Sequence, residues 1–276
     1  MVGELELFNR TIRALKAAGI EDRIEAATLF ELATGRRRGE LRSPSAVSSE
    51  TAAELEELVR RRVQGEPLQY ICGSWPFLDF ELRCGPGVLI PRPETELLAQ
   101  TAINFLKERE GPAALDLCSG TGCVAISIAR KTCVKTTALE YSEQALGYLR
   151  KNVKALAAEV EIVKGDVFNY NNSLKAASLD CITCNPPYLT PSEYEDCAEL
   201  KYEPREALVG GKDGLDFYRH IIPAYKRALK AGGLLALEIG YQQSQQVEAL
   251  MQERGYNDVK TLKDIFNNPR VVSGFA

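Results

Sequence analysis

The sequence predicts an α/β protein with a parallel, doubly wound sheet that follows a small helical domain. Three observations support this fold class. Strand-like and helix-like runs alternate from residue 113 onward, which is typical of repeated βα units. A glycine turn, Ser119-Gly120-Thr121-Gly122, directly follows the first of these strands. Residues 1–70 instead carry apolar positions at helical spacing.

Three helices are predicted in residues 1–70, each ended by a glycine. The first runs from Glu4 to Ala18, the second from about Asp22 to Ala33, and the third begins near Ser49. The residues expected on their apolar faces are Leu5, Phe8, Ile12, Leu15, Ile24, Ala27, Leu29, Phe30, Leu55, Leu58, Val59 and Val63.

Two arginine triplets, Arg36–Arg38 and Arg60–Arg62, lie beside these helices. They fit either a solvated helix surface that compensates helix dipoles or an anchor for an acidic or RNA-bound partner.

A short β-hairpin is predicted next, because residues 69–71, 75–77 and 80–82 are aromatic and β-prone and glycines punctuate them. The predicted division is therefore a helical domain at 1–70, a hairpin linker at 71–90 and a larger domain at 91–276. The segment Ile90–Glu96 then leads into a helix expected to reach Arg109. Its Arg92 and Glu94 fit either helix capping or the wall of an active site.

The larger domain is predicted to contain five strands before a C-terminal strand pair. These strands are expected at 113–118, 134–140, 160–164, 179–184 and 234–239, and the helices between and after them at 123–131, 143–156, 215–230 and 242–254. Ligands of such sheets bind at the carboxyl ends of the strands.

Composition limits the classes of function. With 38 acidic and 34 basic side chains, the net charge of −4 argues against affinity based on wide phosphate neutralisation. No apolar run reaches membrane-spanning length and residues 1–10 do not resemble a secretory signal, so a cytoplasmic protein is expected. The eight cysteines are interpreted as mostly buried, reduced thiols. No metal site is expected, because Cys181 and Cys184 should face opposite sides of one strand.

A cofactor site is predicted at the glycine turn. Gly120-x-Gly122-x-x-Ala125, with Glu140 placed 20 residues after Gly120, fits the dinucleotide fingerprint, and it fits S-adenosylmethionine equally well. Asp116 favours S-adenosylmethionine, because its carboxylate can bind the methionine ammonium but would repel a pyrophosphate.

Two further residues fit an adenosine group. Glu140 can accept from ribose hydroxyls, and Asp166, at the end of the third strand, can accept from an adenine amino group with Phe168 beside the ring. His220, the only histidine, is interpreted as a bystander on a helix.

The segment Asn185-Pro186-Pro187-Tyr188 follows the fourth strand. Two prolines stiffen it and remove two backbone donors, so the Asn185 amide and a bare carbonyl form a pair of acceptors for a planar NH2 group. Tyr188 can stack on that group. This arrangement suits methyl transfer to a conjugated nitrogen by positioning and preorganised hydrogen bonding. The alternative is a proline-rich turn that merely ends a strand.

Five longer motifs occur in the chain: Gly65–Ile71, Gly87–Glu96, Asn185–Tyr188, Glu203–Leu208 and Gly211–Leu215. They resemble signatures of the release-factor glutamine N5-methyltransferases, the PrmC/HemK family. The resemblance covers most of the chain. It implies a class I S-adenosylmethionine-dependent methyltransferase domain with a Rossmann-like sheet, preceded by a helical substrate-recognition domain.

The resemblance also implies roles for individual residues. The expected cofactor-binding residues are Asp116, Cys118, Ser119, Gly120, Thr121, Gly122, Glu140, Asp166, Phe168 and Asn185. The expected catalytic residues are Asn185, Pro186 and Tyr188, and the expected substrate-binding residues are these three with Pro187, Arg92 and Glu94. The family often has glycine where Cys118 stands, threonine near Ser119 and aspartate where Glu140 stands.

The leading hypothesis is methyl transfer from S-adenosylmethionine, with S-adenosylhomocysteine as product, to the glutamine of the Gly-Gly-Gln loop of class 1 bacterial-type release factors. A monomer without a direct nucleic-acid substrate is expected. Three alternatives are an adenine-N6 nucleic-acid methyltransferase that flips its base, a non-catalytic cofactor-binding scaffold, and a nicotinamide-dependent oxidoreductase.

Overall fold

The computed structural model describes residues 2–21, 23–36 and 46–276, and the chain forms two compact units that divide between Ser74 and Trp75. The division predicted from the sequence, 1–70, 71–90 and 91–276, stays a prediction. Among the described residues, no helix is both long enough and apolar enough to cross a membrane.

The N-terminal unit is helical. Its elements are β1 (Val2–Gly3), α1 (Glu4–Ala17), α2 (Arg23–Thr34), β2 (Ala46–Val47), α3 (Ser49–Val63) and α4 (Leu68–Cys72). Phe8 of α1 and Phe30 of α2 pack edge to face with ring centroids 5.6 Å apart. Such a pair adds stability beyond the apolar area that it buries. The Ser48 side chain caps α3 by accepting from the Thr51 amide at 3.1 Å.

Three residues expected on apolar faces point to solvent instead: Leu5, Ile24 and Val63 are 63%, 71% and 42% exposed. In α1 the buried stripe is displaced around the helix toward Glu4, Leu7 and Thr11. Two polar side chains can occupy this stripe because each has a partner. Glu4 pairs with Arg36 at 2.8 Å, and the Thr11 hydroxyl donates to the Leu7 carbonyl at 3.2 Å.

The described arginines of the two triplets form ion pairs within their own unit. Arg36 pairs with Glu4, and the second triplet pairs through Arg60 with Glu57, Arg61 with Glu66 and Arg62 with Glu25. Arg37 and Arg38 lie outside the described residues. These pairs favour the interpretation of the triplets as part of a helix surface.

Residues 69–71 were predicted to be β-prone, and this was wrong. They lie in α4, which ends at Gly73 with φ 74°, a conformation that glycine adopts without strain. The predicted hairpin follows as β3 (Ser74–Phe77) and β4 (Phe80–Arg83), which form a two-stranded sheet.

The second unit contains a seven-stranded sheet flanked by helices. Its strands are β5 (Ala113–Leu117), β6 (Lys135–Glu140), β7 (Val160–Lys164), β8 (Leu179–Cys184), β9 (Leu229–Glu238), β10 (Asn257–Lys263) and β11 (Pro269–Phe275). Its helices are α5 (Thr95–Leu106), α6 (Cys123–Thr132), α7 (Glu143–Ala155), α8 (Val167–Tyr170), α9 (Pro191–Asp196), α10 (Asp216–Lys226) and α11 (Ser244–Glu253).

The strand order is β10-β11-β9-β8-β5-β6-β7. Strands β5 to β9 pair in parallel, as predicted, whereas β11 is antiparallel to both of its neighbours. The chain order reverses at β5, which pairs with β6 on one side and β8 on the other. This topological switch point is where open α/β sheets bind ligands.

Two apolar cores lie on the two faces of the sheet. Cys184 and Leu115 belong to the core that contains α10 side chains, whereas Cys181 and Ala114 belong to the core that contains α5 and α6 side chains. The prediction that Cys181 and Cys184 face opposite sides is therefore confirmed. Cys133, in contrast, is exposed; it follows the last residue of α6 in a left-handed conformation, with φ 54°.

Some element bounds differ from those predicted. Strand β9 begins at Leu229, before the Gly232-Gly233 pair that was expected to precede it. Helix α10 correspondingly ends at Lys226 rather than Lys230. Main-chain pairing of Leu229 with Leu179 of β8 holds this early segment in the sheet despite its glycines.

A buried asparagine connects three parts of the second unit. The Asn152 oxygen on α7 accepts from the Arg83 amide at 2.8 Å. Its nitrogen donates to the Arg83 carbonyl at 3.0 Å and to the Thr121 carbonyl at 2.9 Å. One side chain thus links the hairpin strand β4 to both α7 and the glycine turn.

We expect Asn152→Ala to lower the free energy of unfolding by about 3 kcal/mol, because the backbone groups of Arg83 and of the buried Thr121 lose their partner. Urea unfolding of the full chain measures this change. Asn104→Ala, at an exposed position on α5, is the control and should stay within about 0.5 kcal/mol of the parent. Equal stability of the two variants would contradict the assignment.

Candidate active site

A cavity of about 300 Å³ opens at the switch point, at the carboxyl ends of β5, β6 and β8. Most residues singled out from the sequence line it: Arg92, Asp116, Cys118, Ser119, Gly120, Thr121, Glu140, Asp166, Phe168, Asn185 and Pro187. Four others, Glu94, Gly122, Pro186 and Tyr188, lie outside its lining.

The glycine turn after β5 depends on positive φ angles, which are 55° at Cys118, 55° at Gly120 and 87° at Gly122. A Cβ at Gly122 would lie 2.4 Å from the Leu149 side chain, which would have to shift to admit it. The Ser119 amide donates to the Leu139 carbonyl at 3.0 Å, which holds the turn against β6. Cys118 adopts a conformation that favours glycine, the residue that the resemblance noted above leads one to expect there.

The Glu140 carboxylate binds the backbone around it. One oxygen accepts from the Gly120 amide at 2.8 Å, and the other accepts from the amides of Tyr141 and Ser142, each at 2.8 Å. Burial raises the pKa of Glu140, and the backbone hydrogen bonds oppose that rise. Because each carboxylate oxygen has two lone pairs, the group can hold the glycine turn and still accept from a ligand hydroxyl.

Asp116 is buried at the end of β5 and faces the cavity. Its partner across the sheet is Thr183, whose hydroxyl donates to Asp116 Oδ1 at 2.8 Å. Burial raises the pKa of Asp116 to about 7, and the Thr183 hydrogen bond works against that rise. The cavity therefore contains a poorly solvated carboxyl group, which an incoming cation would stabilise in its charged form.

Asp166 and Phe168 lie together after β7. Asp166 Oδ1 caps α8 by accepting from the Phe168 amide at 2.9 Å. The Phe168 ring packs against Phe217 and His220, with ring centroids 5.0 and 4.9 Å away. His220, interpreted as a bystander, is thus part of the aromatic packing that supports Phe168.

Asn185 projects from β8 toward the first residue of α5, and its amide nitrogen donates to the Thr95 hydroxyl at 3.2 Å. Glu238, at the end of β9, is buried, and burial raises its pKa to about 7. A hydrogen bond with the Thr95 side chain is the largest effect that lowers this pKa. Its Oε2 atom has no partner among the described residues. Thr95 therefore contacts both Asn185 and Glu238.

Glycines support the Asn-Pro-Pro-Tyr segment from behind. A Cβ at Gly210 would lie 2.2 Å from the Pro187 carbonyl oxygen, and one at Gly214 would lie 2.2 Å from the Tyr188 carbonyl oxygen. Gln243 also donates to the Tyr188 carbonyl at 2.9 Å. The segment is thus packed directly against another stretch of backbone, which only residues without side chains permit.

Arg92 and Glu94, both predicted to bind substrate, have partners within the protein. Arg92 forms an ion pair with the buried Glu203, which also accepts from the Ile90 amide at 2.9 Å. Glu94 lies 3.6 Å from Arg270. These contacts fix the segment between β4 and α5.

Sequence reasoning missed several residues of this region: Thr95, Tyr141, Glu203, Glu206 and Glu238. Tyr141 and Glu206 line the cavity, and Glu203 anchors Arg92. Glu238 had a usable signal, because it is an acid directly after the apolar run Leu234–Leu237. The same signal identified Glu140. Among the described residues, no group of three His, Cys, Asp or Glu side chains is arranged to hold a metal ion.

Two family models match the chain. Residues 6–73 match the PrmC N-terminal domain and residues 94–201 match the methyltransferase small domain. Solved structures support the class I fold predicted from the sequence. A methyltransferase from Pyrococcus furiosus has 22% identity and a TM-score of 0.54, over 70% of this chain and 87% of that chain. The 16S rRNA N2 G1207 methyltransferase of T. thermophilus, solved with AdoMet and guanosine, has 22% identity and a TM-score of 0.54. The match covers 73% of this chain and 49% of that chain.

Curated relatives are more similar in sequence. The release factor glutamine methyltransferase of Thermodesulfovibrio yellowstonii is 40% identical over 82% of both chains. The enzyme of the same name from Caulobacter vibrioides is 37% identical over 94% of this chain and 92% of its own. The resemblance found in the sequence motifs is thereby confirmed, and the chain belongs to the release factor glutamine methyltransferase family.

Proposed function

We propose that this protein transfers a methyl group from S-adenosylmethionine to the side-chain amide nitrogen of the glutamine in the Gly-Gly-Gln loop of class 1 bacterial-type release factors. The observation that carries this proposal is the orientation of Asn185 at the cavity. The Thr95 hydroxyl accepts a hydrogen bond from the Asn185 amide nitrogen. The Asn185 amide oxygen has no hydrogen-bond partner among the described residues. That oxygen can accept a hydrogen from a substrate NH2 group.

The residues of the cavity fit S-adenosylmethionine, whose polar groups include an ammonium, ribose hydroxyls and an adenine amino group. Asp116 is a buried carboxyl that suits the ammonium. Glu140 has one acceptor site left for a ribose hydroxyl, because three backbone amides occupy the others. Asp166 can accept from an adenine amino group beside the Phe168 ring. When bound, S-adenosylmethionine supplies an electrophilic methyl group on a sulfonium centre. The glycine turn and Tyr141 complete the walls around these groups.

The chain's own part in the reaction is to hold the glutamine amide. The Asn185 oxygen accepts one amide hydrogen and the Pro186 carbonyl accepts the other, while Tyr188 packs on the amide plane. An amide nitrogen is a poor nucleophile, because its lone pair is delocalised into the carbonyl. Two fixed acceptors favour the geometry in which that lone pair is available, and they are worth most where water is excluded. The proton released after transfer passes to water.

Thr95 lines the cavity and positions Asn185 through their hydrogen bond. A threonine hydroxyl has one hydrogen, and an ionised carboxylate can only accept. When Glu238 is ionised, Thr95 therefore donates to it, and the Thr95 oxygen accepts from the Asn185 nitrogen. Because that nitrogen is occupied, the Asn185 oxygen is the end of the amide that faces the substrate.

The release factor is preferred over DNA as substrate for two reasons. The relatives with 34% to 40% identity are named for release factor glutamine methylation. The chain also has a net charge of −4, and enzymes that bind nucleic acid through phosphates depend on basic surface. An adenine amino group would fit the same acceptor pair, so the experiment includes DNA.

The first prediction concerns substrate and mechanism. Mass spectrometry should find one added methyl group on the Gly-Gly-Gln peptide of a release factor after incubation with the protein and S-adenosylmethionine, and no transfer to DNA. Asn185→Ala should lower kcat by about 10² to 10³ while calorimetry shows unchanged cofactor affinity. Asn172→Ala, at an exposed position, is the control. An unchanged rate in Asn185→Ala would remove this mechanism.

The second prediction isolates the positioning role of Thr95. Thr95→Val keeps the shape but removes the hydroxyl, so kcat should fall about fivefold to tenfold, the effect expected when the neutral hydrogen bond that positions Asn185 is lost. Thr95→Ser retains the hydroxyl and should recover most of the rate, and cofactor affinity should not change in either variant. If the valine and serine variants had the same kcat, the hydroxyl would have no such role.

The third prediction follows from the pKa of Asp116, which burial raises to about 7. A protonated, neutral Asp116 does not attract an ammonium group. Calorimetry should therefore show S-adenosylmethionine affinity falling below that pH, by about tenfold at roughly pH 6 relative to its alkaline plateau. Burial also raises the pKa of Glu140, so Asp116→Asn is needed to separate the two. That variant should bind weakly and lose most of the pH dependence; a parent affinity that is flat with pH would contradict the assignment.

A further inference from the structure

The turn between β10 and β11, residues 264–268, exposes two large apolar side chains, and we call this segment the hairpin tip. Ile265 is 93% exposed and Phe266 is 78% exposed. No other large apolar side chains among the described residues are as exposed as these two. They are adjacent in sequence, so together they form an apolar projection of the second unit.

The hairpin tip is held in one conformation by its own hydrogen bonds. Asp264 Oδ1 accepts from the amides of Phe266 and Asn268, each at 2.9 Å. The Asp264 amide donates to the Asn268 carbonyl at 2.9 Å, and Asn267 completes the turn with φ 66°. Asparagine tolerates this left-handed conformation better than most residues. The two apolar side chains are therefore presented on an ordered turn.

The hairpin tip is also connected to the active site. Arg270, at the start of β11, donates to Asp264 at 2.9 Å and lies 3.6 Å from Glu94. Glu94 directly precedes Thr95, which holds Asn185. A single arginine thus links the tip to the segment that positions the proposed catalytic amide.

Sheet topology places the tip at the edge that contains the cavity. Strands β11 and β9 are antiparallel to each other, and Val271 of β11 pairs with Glu238 at the carboxyl end of β9. The Ile239 amide also donates to the Arg270 carbonyl at 2.9 Å. The turn that precedes β11 therefore lies beyond the carboxyl end of β9. This is the same edge from which Asp116, Glu140 and Asn185 face the cavity.

We propose that the hairpin tip is a docking element that inserts Ile265 and Phe266 into an apolar depression on the protein that presents the substrate glutamine. This proposal rests on the proposed function, since it assumes a protein substrate. Exposed apolar pairs beside a site mark protein interfaces, and an ordered turn loses little conformational freedom when it binds. The immediate charges, Lys263, Asp264 and Arg270, do not form a basic patch, so the tip suits an apolar protein surface rather than a phosphate backbone.

The test is a double variant, Ile265→Ser with Phe266→Ser, in the full chain. The KM for a full-length release factor should rise about tenfold or more, because truncating anchor side chains at an interface has effects of this size. Its kcat at saturation and its S-adenosylmethionine affinity should equal those of the parent, because the tip contacts neither the cofactor nor the reacting nitrogen. The matched control, Ile265→Val with Phe266→Leu, keeps the tip apolar and should retain a low KM.

Two results would overturn the docking role. One is an unchanged KM in the serine double variant. The other is a loss of cofactor affinity together with kcat, which would show that the tip shapes the cavity instead of contacting the partner. A different result, in which the parent protein methylates no release factor at all, would reject the proposed function. The docking role rests on that function and would be rejected with it.

Discussion

The Thr95 hydroxyl determines which end of the Asn185 amide faces the cavity. The two ends of an asparagine amide have nearly the same shape but opposite hydrogen-bonding character. Only the oxygen end can accept from the NH2 group of a glutamine. A reversed amide would present a donor to a donor, and the acceptor pair would be lost. The contact of 3.2 Å between Asn185 and Thr95 is therefore the interaction on which the proposed chemistry depends.

The direction of this hydrogen bond is linked in turn to the ionisation of Glu238, a residue outside the cavity lining. Glu238 must be a carboxylate for Thr95 to be committed as its donor, and burial raises the pKa of Glu238 to about 7. Asp116, at the end of another strand, is likewise buried with a pKa raised to about 7. The sheet therefore places two poorly solvated carboxyl groups near one cavity. Stable ionisation of buried carboxyl groups requires compensating donors or cations.

Much of this arrangement could be predicted from the sequence, because the strand ends carry their own signals. Asp116, Glu140 and Asn185 each follow or end an apolar run, and parallel strands bring their carboxyl ends to one edge. The cavity joins these residues as expected. The glycine turn at Ser119–Gly122 was also expected, whereas the positive φ angle of Cys118 was not.

The remaining parts depend on tertiary packing that local patterns do not encode. Thr95 reaches Asn185 only because α5 begins over β8, and nothing in a helix start specifies that neighbour. Glu238 was missed although the end of its strand was predicted within one residue, because nothing in that strand end specifies its contact with Thr95. In α1 the buried stripe includes Glu4 because Arg36, distant in sequence, neutralises it.

The close approach of Gly210 to Pro187 has a mechanical consequence. With 2.2 Å between a hypothetical Cβ and the Pro187 oxygen, the two stretches of main chain touch without any side chain between them. Neither can shift without displacing the other, so they behave as one stiff block. The segment is therefore preorganised before the substrate binds, and none of the substrate's binding energy is needed to assemble it.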